Sequence, residues 1–212
     1  MLSTMISLLV TLASPAAASS NELSFEVGWI GANDPAWDLF SSGDSLASVG
    51  LRGGFAVHPN VAIIAGWQHA TNGATVYFNG AGEEDDDYYD ESGSFRAALY
   101  TDQITVGSKA DVKVFKWLHP YVTAQVVGMR GLARLDDDSN DDENLTQVQR
   151  AGLTGGFLAG GGLDFIIRVR GQVAIAPYVE LGYGWLAPMV LPDLGSVQFS
   201  GFAGRTGVGV RF

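Results

Sequence analysis

The sequence predicts an all-β fold: an eight-stranded antiparallel up-and-down transmembrane β-barrel with four long loops on one rim. Three observations predict it. Apolar residues recur with period two from Glu22 to Phe212. The connections between the alternating segments are short and long by turns. Glycines and charges of both signs share the polar face of those segments, which suits a narrow lumen.

The strands follow in order. Leu23, Phe25, Val27 and Trp29 alternate with Glu22, Ser24, Glu26 and Gly28. Val49, Leu51, Phe55 and Val57 alternate with Ser48, Gly50, Arg52 and Gly54. Val61, Ile63, Ala65 and Trp67 share a face opposite Gly66 and Gln68. Tyr100, Ile104, Val106, Val112 and Val114 oppose Thr101, Gln103, Thr105, Lys109, Asp111 and Lys113. In the fifth segment Val122, Ala124 and Val126 oppose Tyr121, Thr123 and Gln125, and the phase blurs near Gly128. Phe157, Ala159, Leu163, Phe165, Ile167 and Val169 oppose Gly160, Gly162, Asp164 and Arg168. Val173, Ile175, Val179, Leu181, Tyr183 and Trp185 oppose Glu180, Gly182 and Gly184. Phe202, Val208, Val210 and Phe212 oppose Arg205, Gly207, Gly209 and Arg211. Short turns are expected at His58-Pro59-Asn60, around 117–120 and at Arg170-Gly171, and long connections at 31–45, 71–96, 135–150 and 188–196. Short turns on one rim and long loops on the other is the layout of a membrane barrel.

Alternation alone does not say which face points outward, since a soluble eight-stranded barrel buries its apolar face. Most strand glycines lie on the polar face, where an eight-stranded lumen leaves little side-chain room. Outward aromatics gather near strand ends: Trp29, Trp67, Tyr100, Tyr183 and Trp185 toward the long-loop rim, Phe55, Phe115 and Phe212 toward the other. That is the arrangement of interfacial girdles. The expected lipid-facing set includes Leu23, Phe55, Phe165, Leu181 and Val210. The expected ion-paired interior includes Glu26, Arg52, Asp164, Arg168, Glu180 and Arg205.

Composition narrows the rest. The 212 residues suit one domain, and 28 of them are glycine. Cysteine is absent, which excludes disulfides and thiol metal sites. The net charge of −11 is concentrated: 13 of 23 acids fall in the runs 83–91 and 136–143. No strongly basic patch appears in the sequence, so nucleic acid is not an expected partner. Residues 1–18 form a short apolar run, Pro15 and an Ala16-Ala17-Ala18 cleavage pattern, expected to be a signal peptide ahead of a barrel spanning 19–212. No later segment is apolar for ~18 residues, so a membrane span must be a closed barrel.

The last segment reads Arg205-Thr206-Gly207-Val208-Gly209-Val210-Arg211-Phe212. It resembles the terminal assembly signal of bacterial outer-membrane proteins. With four loops on one rim, the mature chain looks like small outer-membrane barrels of the OmpA-transmembrane or opacity-protein type. The resemblance implies export to the outer membrane of a Gram-negative type of cell. It also implies outer-membrane lipid and lipopolysaccharide as surroundings. The sequence ends with the last strand, so no periplasmic domain is expected after the barrel.

One segment carries candidate chemistry. Trp67-Gln68-His69-Ala70-Thr71-Asn72-Gly73 resembles the His-x-Ser-Asn-Gly stretch of outer-membrane phospholipase A and lipid A deacylase. That resemblance implies His69 as base and Thr71 as nucleophile on the lipid-facing wall. In the deacylase an acid fourteen positions after the His orients it, and Glu83 stands there in this chain. Thr71 brings a methyl group that crowds a nucleophile, and Glu83 opens an acid run. On the sequence, therefore, the balance favours no catalysis. The acid runs could hold divalent cations weakly, but neither fits an EF-hand loop. No cofactor or built metal site is expected. The leading reading is a non-enzymatic outer-membrane barrel with acidic extracellular loops and a structural or surface-interaction role. The alternatives are a lipid-ester hydrolase using His69 and Thr71, and a narrow solute channel.

Overall fold

A computed structural model describes residues 21–32, 34–41, 43–79, 92–137 and 148–212. The expected signal peptide, Glu83 and nearly all of both acid runs lie outside them. The strands are β1 (Glu22–Gly31), β2 (Ser45–His58), β3 (Val61–Asn79), β4 (Ser92–Asp111), β5 (Leu118–Asp137) and β6 (Val148–Phe165). After them come β7 (Ile167–Arg170), β8 (Val173–Leu186), β9 (Met189–Leu191), β10 (Gly195–Val197) and β11 (Gly201–Arg211). Neighbours in sequence pair antiparallel from β1 to β6, then β6 with β8, and β8 with β11. The pairing of β11 with β1 closes the barrel, from Glu22↔Arg211 to Ile30↔Ala203. Eight long strands thus leave the lower wall without an edge. β7 continues the line of β6 beyond Ile166.

The register sets the barrel's shape. A row of paired residues starts on β6 at Leu153 and passes through Arg130, Asp102, His69, Val49, Val27, Thr206 and Val179. It returns to β6 at Leu163, ten residues along. With eight strands and ~3.3 Å per residue, this stagger tilts the strands by about 40°. The shortest wall strand, β1, has 10 residues, which at that tilt reaches about 25 Å, the height of a membrane barrel's apolar band.

Parity falls as the alternation requires. Leu23, Phe55, Leu181 and Val210 stand on the outer wall. Phe165 has the same parity but is half-buried beside Trp117, with ring centroids 6.5 Å apart. Glu26, Arg52, Asp164, Glu180 and Arg205 are buried in the lumen. Arg168 is not: it keeps the lumen-side register, opposite the buried Ala174, but lies below the charged layer at the open short-turn rim, where all of β7 is exposed.

The long-loop side departs furthest from expectation. β3 and β4 do not end near 71 and 96; they stay paired out to Asn79↔Ser92, because each continues to satisfy the other's backbone groups. β3 to β6, at 19, 20, 20 and 18 residues, form a tall wall above the shorter β1, β2, β8 and β11. The connections expected at 31–45 and 188–196 are not open loops. The first makes a short 3-10 helix, Pro35–Leu39. The second makes the β9–β10 hairpin, turned by Asp193 (φ 65°) and Gly195 (φ 96°). Both fold against the inner face of the tall wall. Trp37, Phe40, Met189, Leu191, Val197 and Phe199 pack with Ala97, Leu99, Met129, Ala133 and Leu158 in one apolar cluster.

Glycine makes this close approach possible. A Cβ on Gly152 would come within 2.6 Å of the Val190 carbonyl oxygen and 2.7 Å of Met189 Cγ, and one on Gly131 would overlap Met189 Sδ. Gly152→Leu is therefore expected to push the β9–β10 hairpin off the wall and cost about 1–3 kcal/mol. Limited proteolysis checks it: the variant should be cut within 187–200 faster than the wild type, and equal rates would show that the hairpin is not held there.

Candidate functional site

The lumen is filled by two layers. Toward the short turns lies a charged one, in which Glu22, Glu26, Asp164 and Glu180 meet Arg52, Lys109, Arg205 and Arg211, four charges of each sign. Arg52 Nη1 donates to Glu180 Oε2 at 3.0 Å, its Nε lies 3.8 Å from Glu26 Oε2, and its guanidinium sits 4.1 Å from the centre of the Tyr178 ring. Glu26 also accepts from Gln68 Nε2 at 2.6 Å and from the Tyr178 hydroxyl at 2.5 Å. Lys109 Nζ meets Asp164 Oδ2 at 2.7 Å and lies over the Tyr121 ring. Arg211 bridges Glu22, at 2.9 Å, and Asp164. Above this layer is the apolar cluster. Between them is a void of about 20 Å³, room for one water.

The outer wall carries a second constellation. His69 and Asp102 are directly opposed on β3 and β4. Asp111 N–H donates to the Asn60 carbonyl, which fixes the alternation above it and makes His69–Asp102 a non-hydrogen-bonded pair, the kind whose side chains approach most closely. His69 Nδ1 lies 3.0 Å from Asp102 Oδ1, and Thr71 Oγ1 lies 3.3 Å from His69 Nε2. Trp67 lies alongside, ring centroids 6.1 Å from His69. All these side chains face outward, with His69 39% and Asp102 51% exposed. Eight residues up a tilted strand from Val61 puts His69 about 20 Å above the short-turn rim, near the upper edge of the apolar band. Pairing of β2 with β3 ends at Val49↔His69. From there upward the same alternation turns the N–H groups of Thr71 and Gly73 toward the edge that β2 has left. The Gly73 N–H donates to Asn72 Oδ1 at 3.2 Å.

The structure thus brings the sequence candidates His69 and Thr71 together. Glu83 lies outside the described residues, and Asp102 takes the acid's place beside His69. Asp102 was legible in part: it sits between Tyr100 and Ile104 on the outward parity, an acid where lipid-facing residues are expected. Nothing in the sequence paired it with His69, because that needs the register. Among the described residues no group of three His, Asp or Glu side chains could hold a metal ion.

No family model matches the chain, and no curated protein matches it. Among solved structures the barrel is similar to Ail, the attachment invasion locus protein of Yersinia pestis, at 13% identity over 92% of this chain and 97% of that one, TM-score 0.47. It is similar to Neisserial surface protein A at 15% identity over 93% and 98%, TM-score 0.44. It is similar to the outer membrane protein OprG from Pseudomonas aeruginosa at 12% identity over 92% and 96%, TM-score 0.48. The likeness is one of fold.

Proposed function

We propose that this protein is a sealed outer-membrane barrel that works on its outside and not through its lumen. The observation that carries the reading is the double closure of the lumen, a balanced ion network below and an apolar cap above. Both layers fill the lumen with buried side chains, which supports a sealed barrel over a channel. The apolar outer wall suits a bilayer, and in this reading the side of the tall wall, with the acid-rich connections, is the one turned to the cell surface. A surface-interaction role for those connections, with lipopolysaccharide beside them and weakly held divalent cations between, suits their charge. The reading disfavours a solute channel. Planar-bilayer recording of the folded protein tests it: no step conductance is expected in 1 M KCl, and reproducible steps would overturn the sealed reading.

A second reading is supported by one specific observation, the Thr71–His69–Asp102 chain of hydrogen-bonding groups on the wall. Of the two objections to catalysis, the Thr71 methyl stands, and the other was that Glu83 belongs to a charged run. An acid on a paired strand does not share it. In this reading the substrate is an acyl ester of a membrane lipid, which reaches the wall from the bilayer itself. Thr71 Oγ1 attacks the ester carbonyl carbon and passes its proton to His69 Nε2. Asp102 holds the Nδ1 proton and stabilises the imidazolium. The leaving alcohol takes the proton from His69 Nε2, and water, giving its own proton to Nε2, then releases the fatty acid from Thr71. The Thr71 N–H, on the strand edge that β2 has left, is the donor within reach of the developing oxyanion.

A further inference from the structure

The twelve Lys and Arg residues are distributed unevenly. Four are sealed in the lumen. Arg96, Arg130, Arg134 and Arg150 lie on the tall wall. The last four, Lys113, Lys116, Arg168 and Arg170, are exposed together at the short-turn rim. They belong to two turns that are neighbours around the barrel, because β5 pairs with β6. The turns also touch: Ile166 N–H donates to the Trp117 carbonyl at 2.8 Å. Their rings form a row, Phe115–Trp117 at 5.8 Å and Trp117–Phe165 at 6.5 Å between centroids. Exposed Val112, Val114, Ile167 and Val169 flank the row.

None of the four cations has an acid within ion-pair distance among the described residues. The acids nearest in the chain are engaged elsewhere. Asp111 lies 3.5 Å from His119, and Asp164 is buried against Lys109 and Arg211. Four like charges on two touching turns repel one another unless an anion joins them. They alternate with apolar and aromatic groups that sit at the boundary of a bilayer, and their long stems let the charges reach headgroup level. The required partner is thus an anion that is itself fixed at a membrane surface.

We propose that this basic aromatic rim binds anionic phospholipid in the leaflet it meets, with the phosphates held among Lys113, Lys116, Arg168 and Arg170 and the acyl chains against Phe115, Trp117 and Phe165. Lipid of this kind anchors one side of the barrel by charge while the acid-rich side faces away from it.

Native mass spectrometry of the full chain tests the proposal. The folded protein in micelles is given equal amounts of phosphatidylglycerol and phosphatidylcholine. The wild type is expected to retain phosphatidylglycerol at least about fivefold over phosphatidylcholine, with the preference shrinking as salt is raised. K113Q/K116Q/R168Q/R170Q is expected to retain the two equally. R96Q/R130Q, which removes cations from the tall wall, should keep the wild-type preference. If the quadruple variant gives no folded, heat-modifiable band, K113Q/K116Q serves in its place and should lose about half of the preference. Equal retention by the wild type, or a preference that survives in the quadruple or double variant, overturns the proposal.

Discussion

Arg52→Ala is expected to destabilise the folded barrel by about 3–5 kcal/mol, because it leaves buried carboxylates without their shared counter-charge. Arg52 is 2% exposed, and it stands within 4 Å of Glu22, Glu26 and Glu180. Its removal turns a lumen of four cations and four acids into one with an unbalanced negative charge. It also removes the cation over Tyr178, which itself donates to Glu26. Water entering the vacated space would recover part of the cost, which is why the lower end of the range is the minimum expected. Urea titration of the protein folded in phosphatidylcholine vesicles, followed by tryptophan fluorescence, measures the loss. R52A/E180Q should be less damaging than the sum of its parts, since it restores the count of charges. A loss below about 1 kcal/mol for Arg52→Ala would mean that the charged layer is wet and the ion pairs are not holding the barrel.

The second large effect concerns the wall. On the second reading, folded protein mixed with phospholipid releases fatty acid, and His69→Ala and Thr71→Ala each reduce that release by about 100-fold or more, the usual contribution of a positioned base or an activated nucleophile. Asp102→Asn should reduce it as well, since an amide neither holds the required tautomer nor balances the imidazolium. Thr71→Ser should keep or raise the activity, because serine lacks the methyl that crowds the attack. These side chains are exposed on the outer wall, so the variants should fold as the wild type does, and heat-modified gel mobility checks this. Release no faster than from lipid alone would sink the second reading and leave the sealed barrel standing. Release that persists in His69→Ala would place the activity elsewhere.

Much of the architecture is legible in the sequence alone. Period-two alternation identifies a strand and its two faces directly, because successive side chains point to opposite sides. Glycine beside Glu26, Arg52 and Glu180 on one parity marked the narrow lumen, and Leu23, Phe55, Leu181 and Val210 marked the wall. The same parity put His69, Thr71 and, between Tyr100 and Ile104, Asp102 on that wall. Arg168 kept its parity, opposite Ala174, but not its burial, because parity says which face a residue is on and not how far along the barrel the lumen stays closed.

Relations between distant segments were decided by the tertiary structure alone. His69 and Asp102 are 33 residues apart in the chain, and only the β3–β4 register makes them opposite. Val127 and Met129 blurred the alternation near Gly128 for a reason the local sequence does not contain. Those lumen positions are apolar because Trp37, Phe40, Met189 and Phe199 fold down onto that part of the wall and exclude water. Local sequence sets which face a residue occupies, since that is a property of one strand's geometry. What the face touches depends on register and on how the connections pack, which are properties of the closed barrel as a whole.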